Sequence, residues 1–308
     1  MLNKVLESCK YVVDNAKDVK INSSKIDELV TDMSIINSSH WLENSPFEIL
    51  DFDVKDIVNF LLVYHSIGFS YWGSPKWTIE TESGELDGAY AMMYVLINQM
   101  KNDTNLHNIT KDELKKMLKG NVEIPLFEQR YSNLSSIGKA VNSNMNGDFY
   151  NYIKGITNDS ELFDLIISNF DVFDDVSNYN GKPVYFYKLA QLLVSDILHI
   201  RELKEKITVD YTNLVGCADY KIPQVLRSLG ILEYSQELSS IIDSKTEMQK
   251  DSSYEVEIRA SMLIAIDIIN SKLNDKTCPI IINDFIWLKG QDKTREIRPY
   301  HLTRTRFY

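Results

Sequence analysis

Apolar residues recur at three- and four-residue spacing along most of the chain, the signature of amphipathic helices. Ser24 and Asp27 open a stripe of Ile26, Leu29, Val30 and Met33. Thr110 and Glu113 stand at capping-box spacing, Leu114, Met117 and Leu118 follow, and Gly120 supplies a stop. Leu162, Leu165, Ile166 and Phe170 form another stripe. After Pro183, the residues Phe186, Leu189, Ala190, Leu193, Ile197 and Ile200 predict a long helix. Pro223 occupies a first-turn position, with Val225, Leu226 and Leu229 behind it and Gly230 at the end. Over 256–273 apolar residues fall on nearly every side, which predicts a central helix. One stretch breaks the helical period: 77–82 alternates, Ser83-Gly84 gives a turn, and 85–89 follows, which predicts a short hairpin. The pattern is that of a mainly α chain with strand confined to this short β element.

Composition narrows the picture. Thirty-three basic against 44 acidic side chains in 308 residues give a net charge of −11. That balance argues against a protein that coats nucleic acid, which needs clustered Lys and Arg. There is no repeat, low-complexity tract or Pro/Gly/Ser-rich linker, so one domain over 1–308 is expected. Cys9, Cys217 and Cys278 are far apart and odd in number, which suggests free thiols in a reduced, cytoplasmic compartment. The first residues lack the apolar core of a signal peptide, and the greasy stretches 59–64 and 261–270 are too short for a bilayer span. His40, His65, His107, His199 and His301 show no ligand spacing, and no Gly-rich phosphate loop, HExxH, CxxC or GxSxG occurs. No metal or other cofactor is expected.

Several polar residues sit in apolar or aromatic surroundings. Asp219 lies just before a predicted helix start, where it is either an N-terminal cap or an anion held for chemistry. Lys188 lies off the main stripe of its helix, on a face with Leu192, Ser195 and His199, and its ordinary reading is a solvated, snorkelling lysine. Phe69, Tyr71 and Trp72 could stack on a base or fill the core. Glu255 and Arg259 stand at i,i+4 and read as an intrahelical ion pair. Finally, 289–308 carries Lys289, Lys293, Arg295, Arg298, Arg304 and Arg306 against Asp292 and Glu296, either a phosphate site or a solvated tail.

Together these segments resemble the queuosine salvage family, the queuosine 5′-phosphate N-glycohydrolases, over nearly the whole chain. The resemblance begins with Tyr11-Val12-Val13-Asp14-Asn15-Ala16-Lys17-Asp18-Val19. It runs through Gly68-Phe69-Ser70-Tyr71-Trp72, Leu86-Asp87-Gly88-Ala89-Tyr90 and Pro125-Leu126-Phe127-Glu128-Gln129-Arg130. Its most specific blocks are Phe186-Tyr187-Lys188-Leu189-Ala190-Gln191, the stretch from Ala218-Asp219-Tyr220 to Pro223-Gln224-Val225-Leu226, Glu255-Val256-Glu257-Ile258-Arg259 and Pro299-Tyr300-His301-Leu302-Thr303-Arg304. The chain departs from the family at Gly88-Ala89-Tyr90, where Gly-Tyr-Trp is frequent, and in the segment before Tyr254.

The resemblance implies a helical fold related to the helix-hairpin-helix DNA glycosylases. It also implies hydrolysis of the N-glycosidic bond of queuosine 5′-monophosphate, with release of queuine for tRNA. A monomer with no stable nucleic-acid partner and no membrane is expected. It matches Asp219 to the family's essential carboxylate and Lys188 to its active-site lysine. Breaking an N-glycoside builds positive charge on the ribose, and a fixed carboxylate near C1′ can stabilise that charge and direct water. The helix N–H groups are expected to keep Asp219 ionised, with Asp87 or Glu257 as fallback carboxylates. Phe69, Tyr71 and Trp72 are expected to stack on the base, Tyr220 to contact the substrate, Asp87 to bind the base's polar edge or cationic arm, and Lys188, His301 and Arg304 to bind the phosphate. Two rival readings are a nucleic-acid base glycosylase of the related fold and a noncatalytic binder of queuosine metabolites.

Overall fold

A computed structural model describes residues 2–36, 38–44, 46–102, 105–274, 276–291 and 297–308. Of the C-terminal charges, Asp292, Lys293, Arg295 and Glu296 lie outside them.

Helix Ser253–Lys272 is the central element foreseen from its all-round apolarity, and Ser252 caps it by accepting the Glu255 N–H. Asn3–Asn15, Lys221–Ser228 and Pro279–Lys289 pack around it. A second group is built on Val54–Ile67, which is apolar on nearly every side and buries ten residues. Lys188–Glu205, Phe127–Asn144 and Gly88–Met100 pack against that helix. The candidate site forms where the helix starts at Lys188 and Lys221 meet these two groups.

Local signals explain most boundaries. Thr110 and Glu113 form the expected reciprocal capping box at the head of Lys111–Met117. That helix ends short of Gly120, whose missing side chain instead lets the chain press against the Thr78 carbonyl and the Trp77 ring. Asn22, not Ser24, caps Ser23–Leu29, and Val30 is already its C-cap. Asn158 caps Asp159–Asn169, and Gly230 takes a φ of +73° beyond Lys221–Ser228. Lys188–Glu205 starts later than the apolar stripe suggests, because Tyr187 at φ +50° turns the chain and leaves Phe186 ahead of the helix.

The hairpin Thr78–Thr81/Gly84–Asp87 stands where the alternation placed it. Strand is not confined to it. Among the described residues Val19–Ile21 pairs with Leu232–Tyr234, Val176–Tyr179 with Lys182–Tyr185, and Glu247–Met248 with Leu302–Thr303. These strands are too short to register as alternation, and two of the pairs join distant segments. The third turns at Asn180-Gly181, both at positive φ, a hairpin signal legible in the sequence. Pro183 lies in that hairpin rather than ahead of a helix.

The end of the chain is not a solvated tail. His301, Thr303, Thr305, Phe307 and Tyr308 are buried. Ser70 Oγ donates to the Thr305 carbonyl at 2.6 Å, and the Ser70 N–H donates to the Tyr308 carbonyl at 2.9 Å. Among the described residues no helix is long and apolar enough to cross a membrane.

Candidate active site

The segment leading to Asp219 folds against the central helix. Gly216 sits at φ +115°, and a side chain there would press on Ile266 and Leu263. Gln191 accepts the Val215 N–H at 2.9 Å, and Asn283 accepts the Cys217 N–H at 2.9 Å. Asp219 then splits its duties. Its Oδ1 accepts the N–H groups of Lys221 and Ile222 at 2.9 and 2.8 Å, a helix cap. Its Oδ2 makes no hydrogen bond among the described residues, and the side chain lines a cavity of about 150 Å³.

The sequence reading expected the helix N–H groups to dominate the titration of Asp219. Instead burial dominates and raises its proton affinity, with Lys188 and the two N–H groups opposing only in part.

Lys188 is the first residue of its helix and lines the same cavity. At 9% exposure it is not the solvated lysine of its ordinary reading. Its ammonium has no hydrogen bond, and no carboxylate lies within ion-pair distance of it, among the described residues. Its charge acts on Asp219, Cys217 and His65.

One buried ionic network holds both residues. Arg259 donates to Asp175 through Nη2 at 2.6 Å and Nη1 at 3.2 Å, and to Glu255 at 3.4 Å. Its Nε donates to the carbonyl of Ala218, next to Asp219, at 2.9 Å. Asp175 Oδ2 accepts the Lys188 backbone N–H at 3.3 Å. The guanidinium lies between the rings of Phe186 and Tyr308, 4.0 and 4.3 Å from their centroids. The i,i+4 pair with Glu255 is therefore real but secondary to Asp175, a loop aspartate that the sequence reading missed.

Of the other expected residues, Tyr71, Asp87 and Tyr220 line the cavity. Asp87 stands exposed at its mouth, paired with Lys76 at 2.5 Å. Phe69, Trp72, His301 and Arg304 do not line it. Phe69 packs under Arg130, whose guanidinium takes the carbonyls of Ile67 and Phe69. Trp72 faces away, beneath the Arg304 guanidinium at 4.1 Å, beside a separate groove. His301 is buried against Tyr308, and burial together with Arg259 pushes its pKa down to about 3, so it is neutral. Glu257 is tied up elsewhere: it accepts the N–H groups of Lys17, Asp18 and Val19 and the Tyr179 hydroxyl.

Other residues complete the walls. Lys221 and Tyr300 join Tyr220 toward the mouth, and burial and then Lys76 lower the proton affinity of Lys221. Tyr90, Trp41, Tyr64, His65, Asp284 and Trp287 line the rest. Beneath them Asp196 accepts the Trp41 indole N–H at 2.8 Å and His65 Nε2 at 2.7 Å, with His40 Nε2 at 3.3 Å. Burial raises the proton affinity of Asp196, but the two histidines outweigh it and hold the pKa at about 2. Cys217 also lines the cavity, its thiol kept protonated chiefly by burial. Among the described residues no cluster of His, Cys, Asp or Glu is arranged to hold a metal ion.

This arrangement offers a free carboxylate oxygen and a free ammonium on one aromatic-walled cavity. Over 323 aligned residues the chain is 29% identical to a queuosine 5′-phosphate N-glycosylase/hydrolase of Sphaerobacter thermophilus, covering 99% of this chain and 97% of that one. It is 26% identical to the protein of that name from Bos taurus, covering 98% of each, and 26% identical to that of Dictyostelium discoideum, covering 100% and 99%. The queuosine salvage protein family matches residues 50–308, and the chain belongs to that family.

Proposed function

We propose that this protein is a hydrolase that cleaves the N-glycosidic bond of queuosine 5′-monophosphate and frees queuine for reinsertion into tRNA. The observation that carries the reading is that Asp219 and Lys188 line one cavity, with Asp219 Oδ2 and the Lys188 ammonium both uncommitted among the described residues. Family membership supplies the substrate class. We infer in the same way one N-glycohydrolase domain over 1–308, a fold kinship with the helix-hairpin-helix glycosylases, and a monomer. The three buried free thiols support a reduced, cytoplasmic setting.

In this reading the bond from C1′ to the base breaks, and its electron pair leaves with the base. Asp219 Oδ2 faces the resulting oxocarbenium charge and directs a water to C1′, taking its proton as the new C–O bond forms. The departing base gains a proton in turn. A 7-deazapurine lacks the N7 that ordinary purines use for this, so stabilisation on the ribose side carries more of the barrier. Tyr71 and Tyr220 contact the base and sugar. Lys188 holds the 5′-phosphate, with Lys221 and Lys76 nearer the mouth.

The test is a substrate panel of queuosine 5′-monophosphate, queuosine, guanosine monophosphate and intact tRNA, with products read by mass spectrometry. Free queuine from the first is the expected result. Its absence, or base release from tRNA alone, overturns the reading. Lys188→Ala is expected to lose more activity on the nucleotide than on the nucleoside. Equal fractional losses on both would move Lys188 from the phosphate to the ribose or to the placing of Asp219.

A further inference from the structure

One buried wall of the cavity has a chemistry that hydrolysis of the glycosidic bond does not require. Asp284 lines it with only 2% of its surface exposed. Its Oδ2 accepts the Trp41 backbone N–H at 3.1 Å and its Oδ1 the Asn283 amide at 3.3 Å. A carboxylate has about four acceptor sites, so capacity remains. Four aromatic side chains share this part of the wall. Trp41 and Trp287 meet edge to face at 5.9 Å, Tyr90 and Trp287 at 6.2 Å, and Trp41 and Tyr64 stack at 6.1 Å. All four line the cavity.

We propose that Asp284, boxed by Trp41, Tyr64, Tyr90 and Trp287, binds an alkylammonium group of the substrate and makes cleavage selective for bases with a cationic side arm. The inference rests on the proposed function, since queuine carries such an arm, a secondary amine on a methylene linker. It differs from the sequence expectation, which assigned the arm to Asp87. Asp87 is exposed and already paired with Lys76, so a second cation gains little there.

Two further observations support the subsite. First, the local charge is unbalanced. Among the described residues the one ion-pair neighbour of Asp284 is His40, 4.0 Å away, and Asp284 shares it with the fully buried Asp196, which holds His40 at 3.3 Å and His65 at 2.7 Å. Burial, opposed by His40 and helped by Asp196, lifts the pKa of Asp284 to about 6, so a cation beside it would favour its charged form. Second, the box is held in place. Asp196 fixes the Trp41 indole and Asp284 fixes the Trp41 backbone, so this wall is set before any ligand arrives. A ring face and a carboxylate together favour a desolvated ammonium over a neutral group of the same shape.

The test compares three substrates. Queuosine 5′-monophosphate and 7-aminomethyl-7-deazaguanosine 5′-monophosphate carry a cationic arm, and 7-methyl-7-deazaguanosine 5′-monophosphate does not. The unsubstituted protein is expected to favour the cationic pair in kcat/KM. Asp284→Asn should lower that preference about 10- to 100-fold, the weight of one charge-assisted contact. Trp287→Leu, at a half-buried ring, should lower it in the same direction and serves if Asp284→Asn fails to fold, as read by melting temperature. Equal cleavage of all three substrates, or equal losses on all three in the variants, overturns the subsite. Calorimetry with 7-aminomethyl- and 7-methyl-7-deazaguanine separates this inference from the proposed function. Tighter binding of the cationic base by a protein that cleaves nothing upholds the subsite and removes the hydrolase, and equal binding of the two bases overturns the subsite.

Discussion

Asp219→Asn is expected to slow single-turnover cleavage of queuosine 5′-monophosphate by about 10²–10³-fold, the usual weight of a group aimed at transition-state charge. The substitution separates the two oxygens of the side chain. An amide oxygen can keep the bonds from the Lys221 and Ile222 N–H groups, so the helix cap survives. What disappears is the negative charge at Oδ2. Stability should not fall, and the sign follows from the titration. Burial raises the proton affinity of Asp219 above its unfolded value, so its ionised form is disfavoured by folding. A neutral amide removes that cost, and the melting temperature should hold or rise at neutral pH. Near-normal turnover with a lowered melting temperature would leave Asp219 as a cap only. The search would then pass to Asp87, because Glu257 is bound to the Lys17–Val19 backbone away from the cavity.

Arg259→Met should cost about 3–5 kcal/mol of stability, the range for breaking a buried ion pair from one side. Asp175 and Glu255 are both left without their guanidinium, and both are essentially inaccessible to water. Its effect on activity should exceed what partial unfolding explains. The Ala218 carbonyl loses its donor, and Asp175 loses the partner that orients it toward the Lys188 N–H. Urea melts give the stability loss, and kcat measured on the folded fraction gives the second effect. A folded fraction with unchanged kcat would confine Arg259 to holding the core together. Arg259→Lys, which keeps the charge but not the fork, should recover part of the stability and little of the geometry.

Much of this was legible in the sequence where a signal was local. Thr110 and Glu113 announced their capping box, the all-round apolarity of 256–273 announced a central helix, and Asp219 announced itself as an N-terminal acceptor. The candidate site was legible only in part, because neighbours in the chain do not share a direction. Phe69, Tyr71 and Trp72 stand within one short block, yet Ser70 turns through φ +41°, and only Tyr71 reaches the cavity. Trp41, Asp175 and Asp284 lie in segments with no motif of their own. Each acquires its role from a partner far along the chain: Asp196 for Trp41, Arg259 for Asp175, and Trp41 for Asp284. No spacing rule reaches that far. Burial was the other hidden quantity. It turned His301 from an expected phosphate ligand into a neutral core histidine, and Lys188 from a surface lysine into a cavity one.

Cys217 gives the protein a reporter of its own breathing. The residue is 2% exposed, two positions before Asp219, and burial keeps its sulfur in the unreactive thiol form. Alkylation therefore has to wait for the cavity wall to open, and its rate measures how often that happens rather than how reactive the sulfur is. A ligand that closes the cavity should slow labelling of Cys217 while leaving Cys278, buried at 8% exposure and outside the cavity lining, as an internal clock. Peptide mapping after timed exposure to a small alkylating agent would then read occupancy and opening on the unmodified chain, with no dye, tag or turnover needed.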